Sequence, residues 1–148
     1  MRIATWNINS VRLRINHVIK FIKTHDIDIM CLQETKAQDD FFPIDEFLKI
    51  GMNFQHFRGE KSYNGVAILS KIKFEKNSYI NWCKKGDCRH ISVKLGEKIE
   101  LHNFYVPAGG DEPDISVNSK FAHKIEFLNE IKYYFSNDTK TKKILVGD

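Results

Sequence analysis

Four apolar segments of the sequence end in side chains that carry oxygen, and the types of these side chains suit metal-assisted chemistry. The second of these segments ends in both Gln33 and Glu34, and the others are followed by Asn7, Tyr105 and Asp148. In layered α/β proteins, binding sites lie where strands run out into loops, so we expect these side chains to converge. Carboxylate and amide oxygens are hard ligands that favour Mg²⁺ over Zn²⁺. Strand ends are also polar in many proteins without any site, so spacing alone leaves a structural role open.

The elements that must position these side chains begin with a β-α-β unit. Residues 2–8 are rich in β-forming side chains, and residues 27–32 are almost wholly apolar. Between them, apolar residues recur at helical spacing over residues 11–22, after a candidate N-cap at Asn9 or Ser10. This start predicts layered α/β packing.

The rest of the chain changes to short strands and one long helix. A short helix is expected near residues 43–50, with Pro43 in its first turn. Strands are predicted at residues 53–58, 65–70, 73–79, 89–95, 98–106 and 143–146, and a helix at 117–135. A hairpin is expected to join residues 80–83 to 89–95, and Asn64-Gly65 reads as a turn. No repeat or linker interrupts the pattern, so residues 1–148 are expected to belong to one mixed α/β domain.

Composition bounds the class of protein without naming a function. The 148 residues are 42% hydrophobic and 28% charged, which is too apolar for a disordered chain. A net charge of +4 permits a polyanionic partner but does not demonstrate one. No apolar run approaches the about 20 residues that span a bilayer, and no secretion signal is recognised. Three cysteines without such a signal favour reduced thiols and a cytoplasmic location.

Short motifs in a fixed order narrow the interpretation. They are T-W-N at residues 5–7, L-Q-E-T-K at 32–36, Y-N-G-V-A-I-L-S at 63–70, Y-V-P at 105–107 and G-D at 147–148. Together they resemble the exonuclease III family of DNA-repair nucleases, which includes apurinic/apyrimidinic (AP) endonucleases. Each motif is short, but their order and spacing are specific when taken together.

The resemblance implies a fold and a set of site residues. The fold is the four-layer α/β sandwich of the endonuclease/exonuclease/phosphatase (deoxyribonuclease I-like) type, and the activity is cleavage of DNA phosphodiester bonds with Mg²⁺ or Mn²⁺. Glu34 matches the main metal carboxylate, and Asn7 matches its neighbour in the site. Asp148 matches the aspartate that opens a D-x-N motif, acts on the attacking water and lies with the metal ligands. Tyr105 matches the active-site tyrosine, which can donate a hydrogen bond to a phosphate oxygen, or stabilise a leaving alkoxide if its pKa is lowered.

Three further residues are candidate DNA contacts. Lys36 follows the Q-E-T segment, where the family match favours a phosphate contact over an ordinary solvated lysine. Arg89 lies where the family often has G-R, although Cys88 replaces the glycine here. Asn64 precedes Gly65 and is first of all a turn signal, so a DNA-facing role for it is secondary.

The cysteines and histidines offer weaker alternatives. Cys83 and Cys88 flank the predicted hairpin, so a disulfide is geometrically open, but a cytoplasmic location argues against it. Zinc held with His90 and His102 is a further alternative that no C-x₂-C or H-x₃-H spacing supports. Cys31 lies inside an apolar strand and is interpreted as a small core residue.

The expected function is a Mg²⁺-dependent DNA-repair nuclease, monomeric and cytoplasmic. It would cut double-stranded DNA 5′ to abasic sites and clean blocked 3′ ends in base excision repair. The alternatives are another phosphodiesterase or phosphatase of the same superfamily, and a non-catalytic DNA-binding module. Lys36 and the Y-V-P segment favour the DNA-repair branch, and retention of Asn7 and Glu34 argues against a pure binder.

The resemblance also implies residues that do not occur within this sequence. The asparagine of the D-x-N motif, a later aspartate and the histidine of an S-D-H motif would all follow Asp148. The chain is therefore interpreted as the N-terminal portion of one such domain. Alone, it is expected to be inactive, because catalytic groups that act as a unit are far from additive.

Overall fold

The computed structural model describes residues 1–136 and 141–148, which form eight strands and three α-helices. The strands are β1 (Ile3–Asn7), β2 (Ile29–Gln33), β3 (Phe54–Glu60), β4 (Tyr63–Ser70), β5 (Lys76–Ser78), β6 (His90–Leu95), β7 (Ile99–Phe104) and β8 (Lys142–Gly147). The helices are α1 (Val11–His25), α2 (Ile44–Leu48) and α3 (Ser119–Ser136). Among these helices, none combines the length and the apolar character needed to cross a membrane.

The strands form two four-stranded sheets with the orders β1-β2-β4-β3 and β5-β6-β7-β8. Each sheet contains one parallel pair, β1 with β2 and β7 with β8, and its other pairs are antiparallel. Parallel pairing places the last residues of both strands at the same end. Asn7 is thus opposite Gln33, and Phe104 is opposite Gly147. The predicted site residues lie at these strand ends or directly after them.

Three apolar cores define four layers, as the resemblance predicted. One core lies between the first sheet and helices α1 and α2, a second lies between the two sheets, and a third lies between the second sheet and α3. Strand β2 serves two of them, because Met30 and Leu32 pack towards the helices while Ile29 and Cys31 pack towards the other sheet. Burial on both faces explains its unbroken apolar sequence. The predictions of a layered α/β fold and of Cys31 as a core residue are confirmed.

Helix α1 begins in a different way from the one its sequence predicted. Ser10 occupies the N-cap position with a φ of 88°, and its side chain forms no capping hydrogen bond in the described part of the chain. Instead, the backbone N–H groups of Ser10 and Val11 donate to the carbonyls of Glu34 and Thr35, at 2.7 and 3.0 Å. The predicted N-cap position at Ser10 is confirmed, but backbone carbonyls of the loop that carries Glu34, and not the Ser10 side chain, accept from two of the free N–H groups at the start of the helix.

Two turn predictions are wrong, for reasons of tertiary packing. Residues 80–83 form no strand, since Trp82 begins a single 3₁₀ turn and packs at 6.0 Å against the ring of Phe127. Strand β5 pairs with β6 in their place. The Asn64-Gly65 pair lies inside β4, and the chain reverses before it, between Glu60 and Tyr63.

Candidate active site

The ends of strands from both sheets bring the four predicted oxygen donors into one hydrogen-bonded cluster. The Nδ2 group of Asn7 donates to Oε1 of Glu34 and to Oδ2 of Asp148, both at 2.8 Å. The Tyr105 hydroxyl donates to the same Oε1 of Glu34, also at 2.8 Å. Asp148 continues the β7–β8 pairing, because its N–H donates to the carbonyl of Phe104 at 3.1 Å. Convergence of these side chains was a prediction of the strand pattern, and the structure confirms it.

The loop that presents Glu34 has a strained backbone held by close contacts. Glu34 and Lys36 have φ values of 52° and 49°, in the left-handed region that non-glycine residues seldom adopt. The N–H groups of Thr35 and Lys36 donate to the carbonyls of Gly65 and Asn64, at 3.1 and 2.9 Å. Gly65 allows this approach, since a Cβ there would lie 2.1 Å from Oγ1 of Thr35. Strain that the surroundings enforce in this way is characteristic of functional sites.

Glu34 is held in its ionised form. Burial would raise the pKa of its carboxyl group, but hydrogen bonds from Asn7, Lys36 and Tyr105, together with the charge of Lys36, lower that pKa to about 2. Lys36 Nζ lies 2.9 Å from Oε2 of Glu34 and also donates to Oδ1 of Asn9 at 2.6 Å. The carboxylate is therefore available as an anionic ligand throughout the physiological pH range.

Tyr105 is held in its neutral form. Burial, the hydrogen bond to Glu34 and the charge of Glu34 raise the pKa of its phenol to about 12. The guanidinium of Arg89 lies 4.8 Å from the ring centroid and opposes this effect only in part. The condition for an alkoxide-stabilising role, a lowered pKa, is not met. Tyr105 is equipped to donate a hydrogen bond.

The chemistry of the cluster fits a hard divalent cation. Glu34 and Asp148 supply two carboxylates side by side, and the cluster contains no thiol or imidazole that would favour zinc. The Asn7 amide turns its N–H groups to both carboxylates, while its Oδ1 accepts from the N–H of Asn9 at 3.1 Å. Glu34 and Asp148 are thus the groups that would hold the metal, and Asn7 sets their spacing. A direct Asn7–metal contact stays a prediction.

Arg89 and Asn64, the candidate DNA contacts, are buried beside Tyr105 of the cluster. Arg89 is 9% exposed and donates to Oδ2 of Asp87 at 2.6 Å and to the carbonyl of Tyr105 at 3.2 Å. Asn64 is 3% exposed and donates to the carbonyl of Asp87 at 2.8 Å. Both line a pocket of about 300 Å³ beside Tyr105, together with Tyr63, Lys120 and His123. Their hydrogen bonds are to the protein itself, so both residues support the structure around the cluster. A direct contact with DNA stays a prediction for each.

Two arginines beside the cluster were missed by the sequence analysis. Arg12 and Arg14 line a second pocket of about 520 Å³ with Asn9 and Lys36. Arg14 also bonds to the carbonyl of Asn9. Their signal was present in the sequence, because the first turn of α1 contains arginines and no acidic residue, against the usual preference.

Gln33 does not belong to the site, although it ends the same strand as Glu34. Its side chain is fully buried and donates to Thr5 at 2.9 Å and to Oδ1 of Asn103 at 2.6 Å. Asn103 in turn donates to the carbonyls of Leu32 and Ala67, at 2.9 and 3.0 Å. This buried network ties the two sheets together beneath the cluster.

The cysteine and histidine alternatives are resolved by geometry. Cys83 and Cys88 are free thiols, so a disulfide between them is not formed. Nε2 of His90 lies 3.1 Å from Nδ1 of His102 inside the third core, so the two imidazoles are partners of each other. Burial and then the neighbouring His102 lower the pKa of His90 to about 3.

The four-layer fold and the carboxylate cluster together indicate a class of protein, and comparison with known proteins indicates the same class. The chain belongs to the endonuclease/exonuclease/phosphatase family, whose sequence profile matches residues 4–143. It is 26% identical over its full length to exodeoxyribonuclease III of Haemophilus influenzae and covers 57% of that protein. It is 36% identical over 76 residues to an exodeoxyribonuclease of Bacillus subtilis, a match of 48% of this chain and 28% of that protein.

Solved structures give the same result. An AP endonuclease from Archaeoglobus fulgidus superposes with a TM-score of 0.87 and is 34% identical. A 3′ phosphatase from Neisseria, NExo, bound to a product DNA hairpin, superposes with a TM-score of 0.80 and is 28% identical. Both matches cover 100% of this chain and 57% of the other. The chain thus spans little more than half the length of the relatives that it matches over its full length.

Proposed function

We propose that the whole protein is a metal-dependent nuclease that hydrolyses phosphodiester bonds in DNA. The observation that carries this proposal is the shared amide of Asn7, which holds the ionised carboxylate of Glu34 beside the side chain of Asp148. Two carboxylates that accept from the same amide, next to a neutral phenol, are suited to metal-assisted hydrolysis at a phosphorus centre. A structural role alone would not need an ionised carboxylate held in a strained loop.

Each residue of the cluster has a task in such a reaction. In-line attack of water on a phosphodiester needs an oriented nucleophile and neutralisation of developing charge. A hard cation such as Mg²⁺, with Mn²⁺ as a substitute, would supply Lewis-acid charge neutralisation when held by Glu34 and Asp148. Asp148 orients the attacking water and accepts its proton. Tyr105 donates a hydrogen bond to a phosphate oxygen, and Asn7 keeps the two carboxylates in register.

The substrate is inferred to be double-stranded DNA with abasic sites or blocked 3′ ends. Relatives with the names exodeoxyribonuclease III, AP endonuclease and 3′ phosphatase support this choice. Lys36, Arg12 and Arg14 flank the cluster and can pair with backbone phosphates. The proposed activities are 3′–5′ exonuclease, cleavage 5′ to abasic sites and cleaning of 3′ ends in base excision repair, by a monomer.

A panel of defined substrates separates this function from the alternatives. The whole protein is incubated with Mg²⁺ and with duplexes that contain an abasic site, a recessed 3′ end or a 3′-phosphate, and separately with an inositol polyphosphate. DNA products with Mg²⁺, and none with a chelator, are the expected result. Glu34→Gln should abolish them, and Glu46→Gln, on α2, should not. Hydrolysis of the inositol polyphosphate with intact DNA would favour another branch of the superfamily, and DNA binding without products would indicate a non-catalytic module.

A further inference from the structure

A groove that the proposed reaction does not use runs along the side of α3. It has a volume of about 650 Å³ and is lined mainly by apolar side chains, among them Trp82, Ile115, Tyr133 and Tyr134. Ile115 and Tyr133 are 62% and 77% exposed, which is high for large side chains beside one another. Apolar surface of this kind, bordered by polar groups, is characteristic of interaction sites.

Two carboxylates line the same groove without a cation. Glu126 and Glu130 are four residues apart on α3 and therefore lie on one face of the helix. Their oxygens and Sγ of Cys83 all lie within 4.8 Å of one another. Over residues 1–136 and 141–148, neither carboxylate forms an ion pair with a basic side chain. Like charges at this spacing destabilise a helix, so the pair is a cost that a bound cation would relieve.

The negative charges of Glu126 and Glu130 affect the pKa of the neighbouring Cys83 thiol. Burial and then the charges of Glu126 and Glu130 raise the pKa of the Cys83 thiol to about 11, so it stays protonated. The one hydrogen bond found for either carboxylate in the described structure comes from the backbone N–H of Cys83, which donates to Oε2 of Glu130 at 2.7 Å. A neutral N–H leaves the charge of the pair uncompensated.

Trp82 adds a donor without an acceptor. Its side chain is 4% exposed and packs edge-on against Tyr134, with ring centroids 5.6 Å apart. Within the described part of the chain, its buried Nε1–H has no hydrogen-bond partner. A buried donor left unpaired is costly, and Trp82 is one of the residues that line the groove.

Charge decides the chemistry of the occupant. Two unpaired carboxylates repel phosphates, so the groove is unsuited to nucleic acid, in contrast to the basic pocket beside Lys36. Aromatic anchors with a complementary charge are the features of surfaces that bind peptides and proteins. We propose that this groove docks a basic peptide segment of a partner protein, with a lysine or arginine between Glu126 and Glu130 and apolar side chains packed against Ile115 and Tyr133.

A defined pair of peptides tests this proposal on the whole protein. The probe is a synthetic peptide of about ten residues that alternates leucine with lysine, and the matched peptide replaces each lysine by glutamate. In a ¹⁵N spectrum, the indole N–H signal of Trp82 is identified by its loss in Trp82→Phe, and that of Trp6 by its loss in Trp6→Phe. The lysine peptide should shift the Trp82 signal and leave that of Trp6 in place.

The carboxylates are tested by conservative variants. Combined Glu126→Gln and Glu130→Gln should weaken the lysine peptide roughly tenfold or more, since each exchange removes one partner of a charge pair. Glu97→Gln, in the turn after β6, is the matched control and should bind as the parent does. DNA hydrolysis should be unchanged in all of them, so failure of this proposal is distinct from failure of the proposed function.

Three outcomes would overturn the proposal. They are equal binding of the glutamate peptide, unchanged affinity in the double glutamine variant with an unchanged melting curve, and a lysine peptide that leaves the Trp82 signal in place. A Trp82 signal that shifts with protein concentration alone, in step with dimer formed in sedimentation equilibrium, would instead assign the groove to a second copy of the protein.

Discussion

Asn7 and Asp148 lie 141 positions apart in the chain, yet Nδ2 of Asn7 donates a hydrogen bond of 2.8 Å to Oδ2 of Asp148. Asn7 ends a strand of the first sheet, and Asp148 follows a strand of the second. The bond therefore exists only when the two sheets are packed. Because the same amide also holds Glu34, formation of the site depends on closure of the sandwich.

The carboxylates should differ from the amide in their contribution to metal affinity. Glu34→Ala removes a charged ligand and should abolish most Mg²⁺ binding, whereas Asn7→Ala removes a neutral group and should weaken it less. Isothermal titration of the whole protein with Mg²⁺ measures both. Unchanged affinity in Glu34→Ala would remove Glu34 from the metal site, and Glu97→Ala serves as the control.

Tyr105→Phe isolates the role of one hydroxyl group. The ring and its contact with Arg89 are kept, and only the hydrogen-bond donor is lost. If the phenol acts in the transition state, kcat should fall on the order of 10²-fold with DNA affinity little changed. Single-turnover cleavage and equilibrium binding measure the two effects. A near-normal rate with a lower melting temperature would show that Tyr105 is a packing residue.

Lys36→Ala tests the contact with phosphate. Affinity for DNA should fall about equally for all sequences, and the slope of log K against log salt should flatten by roughly one unit. Fluorescence anisotropy at several salt concentrations gives this slope. Lys49→Ala, which breaks only an exposed pair with Glu46, should keep the original slope. An unchanged slope in Lys36→Ala would show that this lysine does not neutralise a phosphate.

Stability should fall on acidification because of His90. Its pKa in the folded protein is lowered to about 3 by burial and then by His102, while an exposed histidine titrates near about 6.5. Below pH about 6.5 the unfolded chain binds a proton that the folded chain does not, so stability decreases as pH falls towards 3. The contribution is at most about 1.4 kcal/mol per pH unit. Urea unfolding at several pH values should show a shallower dependence for His90→Gln, and the exposed His17→Gln should not reproduce that change.

Two glycines with positive φ separate a steric clash from backbone strain. Gly65 and Gly96 have φ values of 94° and 61°, so alanine is strained at both. Only at Gly65 would the new Cβ meet a neighbour, 2.1 Å from Oγ1 of Thr35. Gly96→Ala should cost about 1 kcal/mol, while Gly65→Ala should cost more and reduce activity, because it displaces the loop of Glu34. Equal losses in thermal unfolding would mean that the Thr35 contact yields readily.

The sequence by itself determined the local elements and the identity of the central cluster. Apolar spacing placed β1, α1 and β2 to within a few residues, because periodicity follows from which faces are buried. Strand-terminal positions, with the motifs around them, singled out Asn7, Glu34, Tyr105 and Asp148, and parallel pairing inside each sheet makes such ends adjacent.

Tertiary structure alone decided how these groups work together. Packing of one sheet on the other sets the direction of the Asn7 amide, raises the pKa of Tyr105 and holds Glu34 ionised. It also buries Gln33, which shares a strand end with Glu34 but belongs to the structural network. Apart from the ion pair of Glu34 with nearby Lys36, these properties arise from contacts between residues 27 to 141 positions apart, and from the burial those contacts create. The local spacing of apolar residues contains no information on these contacts or on the resulting burial, so the properties can be seen only in the packed two-sheet structure.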